Sequence, residues 1–144
     1  MNLCPHFTIE EFVVSQTAIR KNIDNTPGKK EIKAMKLLCK KVLEPLRASI
    51  DKPVNISSGF RCEKLNTAIG GAKQSQHING EATDISAKGF TTEQLYLFIK
   101  KSTLPFGQLI QEFDSWVHVS YRKNPRGQCL RAVKVIGKTK YNPD

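Results

Sequence analysis

The chain has 144 residues, 39% of them hydrophobic and 25% charged, which fits one folded domain spanning 1–144 and points to a globular rather than a disordered protein. No run approaches the roughly 18 apolar residues of a membrane span. Glu10 and Glu11 fall where the apolar stretch of a signal peptide would lie, so no Sec signal is expected. The formal net charge of +10 points to an anionic partner, either nucleic acid or an acidic polymer, without choosing between them.

In chain order, Thr8-Ile9-Glu10-Glu11 is a capping-box pattern and predicts a short helix from Thr8. Asp24 to Gly28, with Asn25 and Pro27, reads as a turn. Ile32, Met35, Leu38, Cys39, Val42, Leu43, Leu46 and Ile50 recur at helical spacing, and this stripe is expected to be core. Pro45 lies inside it and should kink or divide the helix. The lysines of this helix (Lys29, Lys30, Lys33, Lys36, Lys40 and Lys41) are expected on a solvated face. A strand is predicted over 53–57, a short helix over 62–69 that Gly70-Gly71 stops, and a strand over 82–86. Thr91-Thr92-Glu93-Gln94 caps another helix, with Leu95, Phe98 and Ile99 as its apolar stripe. The runs 108–113 and 116–121 flank Asp114-Ser115 and predict a hairpin, and 128–136 predicts one more strand. Helices lead and strands follow, so the class is α+β, with N-terminal helices packed on a small, mostly antiparallel sheet.

Cys4, Cys39, Cys62 and Cys129 are widely spaced and include no CxxC pair, which argues against a four-cysteine zinc site. Cys39 falls on the apolar stripe, as a reduced core thiol would.

The residues that carry chemistry lie in Ser75-Gln76-His77-Ile78-Asn79-Gly80-Glu81-Ala82-Thr83-Asp84, a frame S-x-H-x-x-G-x-A-x-D. A neutral imidazole and a carboxylate are ordinary zinc ligands, and Gly80 supplies the turn between them. Two ligands do not close a tetrahedral site. Of the other two histidines, His6 precedes the first helix, whereas His118 lies in the strand-like run Trp116-Val117-His118-Val119-Ser120. His77, Asp84 and His118 are therefore the expected metal set. Three protein ligands leave one zinc position open, the arrangement of a catalytic site.

Together with Ile56-Ser57-Ser58-Gly59-Phe60-Arg61 and the segment Trp116 to Ser120, this frame resembles the zinc D-alanyl-D-alanine carboxypeptidase family, which includes phage endolysins and L-alanyl-D-glutamate endopeptidases. Phe7-Thr8-Ile9-Glu10-Glu11-Phe12 resembles its short phage and prophage branch. The resemblance implies one zinc peptidase domain, an expected monomer, that hydrolyses the stem peptides of peptidoglycan after release from the cytoplasm to the cell wall. Zn2+ would polarise the scissile carbonyl and acidify a water, a carboxylate would move the proton, and Arg61 would orient substrate and stabilise the oxyanion. Many members place the acid three residues before the last histidine, where this chain has Ser115. Glu112, at the end of an apolar strand, is the expected base, with Asp114 at the turn as the alternative. Ser75 and Trp116 are the expected substrate contacts; Ser75 can equally hold a ligand from behind. Glu81 is expected to face away from the metal.

Two other classes compete. A non-catalytic zinc domain that binds cell wall or a partner draws support from Ser115. A nucleic-acid module rests on charge alone, with no finger spacing or RNA-recognition motif beside it.

Overall fold

The computed structural model describes residues 1–144. β1 (Asn2–Cys4) and β2 (Phe7–Thr8) pair as a small antiparallel ribbon. Thr8 caps α1 (Ile9–Val13), its hydroxyl accepting from the Glu11 N–H at 3.3 Å, as the capping pattern predicts. α2 (Gln16–Arg20) is capped in the same way by Ser15. Five residues are too few for a 3.6-residue period to register, so no sequence pattern announces it.

The long apolar stripe divides into α3 (Lys29–Leu38), a π-helical turn (Cys39–Leu43) and α4 (Glu44–Ile50). Pro45 supplies the reason. It has no N–H, and its ring would meet the Lys41 carbonyl of a regular helix. The turn before it widens, and the Glu44 N–H bonds the Cys39 carbonyl five residues back. The stripe is buried at Met35, Leu38, Cys39, Val42, Leu43 and Leu46, while all six lysines face solvent. All four thiols are free, and that of Cys39 is buried.

β3 (Val54–Ser58), α5 (Glu63–Ala68), β4 (Ala82–Ala87), α6 (Thr92–Lys101), β5 (Gln108–Glu112), β6 (Trp116–Ser120), β7 (Gln128–Val135) and β8 (Lys138–Pro143) complete the chain. Their sheet runs β3-β4-β6-β5-β7-β8 and is antiparallel except between β5 and β7. The protein is thus mixed α and β with a mostly antiparallel sheet, the class the sequence predicts. β8 is unannounced, because Lys138-Thr139-Lys140-Tyr141 shows no core-facing alternation and stays exposed. No helix is long and apolar enough to cross a membrane.

Alternation along the strands gives the sheet two faces. Ile85, Val117, Val119 and Leu109 point one way, into the same core as Met35, Leu38, Leu95 and Ile99. Asp84, His118 and Ile110 stand in one cross-strand row on the other face.

Asn25 ties the N-terminal part to the segment that carries Arg61. Its side-chain amide donates to the carbonyls of Val13 (2.9 Å) and Phe60 (3.0 Å), and its oxygen accepts from the Cys62 N–H (2.8 Å). Read from sequence as a turn residue, it is a buried three-way clasp. Asn25→Ala is expected to cost about 2–3 kcal/mol, the effect of stranding buried polar backbone. Thermal denaturation should register a fall in Tm of roughly 10 °C.

Candidate metal centre

Asp84 and His118 face each other across β4 and β6. His77 arrives from the loop after α5, which three bonds pin. The Arg61 N–H donates to the His77 carbonyl (3.2 Å), the Gly80 N–H to the same carbonyl (3.3 Å), and the Glu81 N–H to the Gln76 carbonyl (3.1 Å). Gly80 turns this loop at φ +72°, and a Cβ there would lie 2.5 Å from the Glu31 carbonyl oxygen. Glycine is thus required both for its φ and for the space. The Ser75 hydroxyl accepts from the His77 N–H at 3.2 Å, so it shapes the His77 loop from within.

The result is a buried trio whose ligating atoms all lie within 4.8 Å of one another. His77 Nε2 and His118 Nδ1 are each 3.3 Å from Asp84 Oδ1. The outer nitrogens are already committed. His77 Nδ1 is 2.7 Å from the Gly59 carbonyl, which can only accept, so that nitrogen carries the proton. His118 Nε2 donates to Gln76 Oε1 at 2.8 Å. In neutral imidazoles this leaves two bare nitrogen lone pairs aimed at one carboxylate oxygen. A cation held among the three atoms removes the conflict. The 3.3 Å separations also match the edge of a zinc tetrahedron, about 3.3 Å for donors 2.0–2.1 Å from the ion. The donor set therefore fits zinc.

Arg61 is partly buried beside this trio. Its Nε donates to Ser58 Oγ (3.2 Å) and its Nη1 to Asn66 Oδ1 (3.1 Å). Its Nη2 lies 3.6 Å from Asp84 Oδ2. Burial pulls its guanidinium down, while the negative charges of Asp84 and Glu112 support it. Arg61 therefore braces Asp84 and lies in the field of Glu112.

Glu112 ends β5 directly across from Trp116, whose indole N–H donates to Oε2. Burial first, then the charge of Asp84, pushes its carboxyl up, against the pull of His118, Trp116 and Arg61. Asp114 is placed differently. It occupies a left-handed turn (φ +55°), and its carboxylate is bound to the Gln111 amide. Ser115 is exposed, its hydroxyl donating to the Phe113 carbonyl. Of the two acids, Glu112 is the one electrically coupled to Asp84 and His118. Glu81 pairs with Arg122 (3.1 Å) and His6 with Glu44 (2.9 Å), neither of them with the trio.

Gln76 and the Gly59 carbonyl are the members that reading the sequence missed. Gln76 lay in plain view as the x of S-x-H, but only the fold brings it to His118. Groups that orient a metal-binding imidazole typically carry 10–100-fold in affinity. Gln76→Leu is expected to weaken zinc binding by about that factor, measured by competition with a chromogenic chelator, with the fold unchanged by circular dichroism.

The sequence profile of the family described as Peptidase M15 matches residues 5–120. A zinc D-Ala-D-Ala carboxypeptidase from Streptomyces albus G is 43% identical over 37 residues, which are 26% of this chain and 14% of that protein.

Proposed function

The chain belongs to the Peptidase M15 family, and on that footing we propose that it is a zinc-dependent peptidase hydrolysing peptide bonds in the stem peptides of peptidoglycan. The observation that carries the reading is the convergence of two imidazole nitrogens and a carboxylate oxygen on one point, with the raised carboxyl of Glu112 nearby. In this reading His77, Asp84 and His118 hold the zinc. When bound, the ion supplies Lewis acidity, polarising the scissile carbonyl and making water a better nucleophile.

The rest of the work falls to side chains. Glu112, ionised, takes the proton of the attacking water and hands it to the departing amine nitrogen. Trp116 holds the Glu112 carboxylate in one orientation through its N–H. Arg61, clamped by Ser58 and Asn66, keeps Asp84 turned toward the trio and adds positive charge where the carbonyl oxygen gains negative charge. Ser75 fixes the loop that presents His77 and borders the approach of the peptide. The net charge of +10 suits a substrate embedded in an anionic wall.

Mass spectrometry of muropeptides tests this reading. Zinc-loaded protein is expected to convert stem peptides to shorter products, and a chelator should stop the conversion until zinc is restored. Undiminished conversion after complete metal removal would overturn it. Tight zinc binding with intact muropeptides would instead favour a non-catalytic wall-binding domain.

A further inference from the structure

The hairpin of β7 and β8 lies beyond residue 120, where the family match ends, yet it continues the sheet face that carries the metal trio. β7 pairs with β5, and β8 forms the sheet edge. The cross-strand row that starts at Trp116 runs through Glu112 and Ala132 to Tyr141. Partners directly opposite share a face. Tyr141 therefore stands on the face of Glu112, two strands away, a backbone distance of about 10 Å. Between them lies Ala132, short and buried, on a small apolar floor with Ile110 and Leu130.

Tyr141 is 50% exposed, and its hydroxyl has no hydrogen-bond partner in the protein, unlike that of Tyr96, which donates to Asp144 at 2.8 Å. Burial, then the negative charges of Glu112 and Asp84, pushes its phenol up, so it remains a donor. Lys134 is its diagonal neighbour on the same face, since Lys134 pairs with Thr139 and Ala132 with Tyr141. Diagonal neighbours are within joint reach of long side chains. The Lys134 ammonium donates to Thr139 Oγ1 (3.0 Å) and sits 5.2 Å from the centre of the Phe113 ring. It has no carboxylate within ion-pair distance. Phe113 in turn meets Trp116 edge-on at 5.9 Å.

A free hydroxyl and an ammonium with no carboxylate partner thus project from one wall, about 10 Å from Glu112 along the sheet. An extended peptide covers that distance in about three residues. We infer that Tyr141 and Lys134 form a subsite for a free carboxylate of the peptide substrate, two or three residues from the bond that is cut. The inference rests on the peptidase reading. It narrows that reading to stem peptides whose carboxylate at this position is free rather than amidated.

Two synthetic stem peptides, identical except for carboxylate or carboxamide at this position, provide the test. Each is titrated into zinc-supplied Glu112→Gln protein, which spares the peptide, and binding is followed by fluorescence of Trp116, the sole tryptophan. The carboxylate form is expected to bind about 10-fold more tightly, the effect of one charge-assisted hydrogen bond. Tyr141→Phe and Lys134→Met should each reduce the preference, and the double variant should abolish it. Both substitutions keep the aromatic ring and the length of the side chain, so a lost preference reports the polar groups. Equal affinities before substitution, or a preference that survives in the double variant, would overturn the subsite. Cleavage by zinc-loaded wild type is scored separately: a carboxylate preference in binding without cleavage supports the subsite and overturns the peptidase.

Discussion

Asp84→Asn is expected to leave a folded protein that neither retains zinc nor turns over substrate. The change conserves volume in a buried position and removes only the charge on which two imidazole nitrogens converge at 3.3 Å. Affinity for zinc should fall by more than about 100-fold, beyond the loss typical of a group that merely orients a ligand. Because zinc binding to the native state raises stability by mass action, the wild type should gain Tm on adding zinc and the variant should not. Retention of one zinc per chain after dialysis against chelator, with turnover intact, would remove Asp84 from the ligand set.

Glu112→Gln separates the metal from the proton transfer. The amide keeps the size of the side chain and an oxygen to accept from the Trp116 indole, but it cannot take a proton from water. Turnover should drop by about 10²–10⁴-fold, the usual contribution of general acid–base catalysis, while zinc content stays at the wild-type level. The Glu112 carboxyl sits above its ordinary value in the folded protein, mainly through burial. A general base at this position acts when ionised, so activity is expected to fall as pH drops through this raised value, and that acid limb should vanish from the residual activity of the variant. Asp114→Asn is the control. Its carboxylate is engaged by Gln111 in the turn, and turnover is expected to change by no more than a few-fold. A large loss in Asp114→Asn with none in Glu112→Gln would reverse the assignment.

Local features were legible where a short stretch of chain contains its own physics. The Thr8 and Thr91 caps bond to backbone three residues on, so four letters suffice to see them. The break before Pro45 needs only the missing N–H and the ring. The Ser75 to Asp84 frame carries two donors and the glycine that turns between them. His118 was accessible only by counting histidines and asking which one lay in a strand. The register that sets it opposite Asp84 belongs to the β4–β6 pairing.

Other features were silent for equally specific reasons. β8 is lysine-rich and exposed, and it is a strand because β7 offers it an edge. Asn25 looked like any turn asparagine until the chain 35 residues later came to meet it.

The three candidate ligands show where the line falls. Sequence alone determined the donor types, the turn between His77 and Asp84, and the strand that bears His118, because each follows from residue chemistry or from contacts a few residues apart. Tertiary structure decided which nitrogen of each imidazole faces Asp84, which acid neighbours the trio, and on which sheet face Tyr141 and Lys134 stand. Those depend on the Gly59 carbonyl, on Gln76 and on a sheet row running from β6 to β8, groups whose separation along the chain is erased only when the sheet forms.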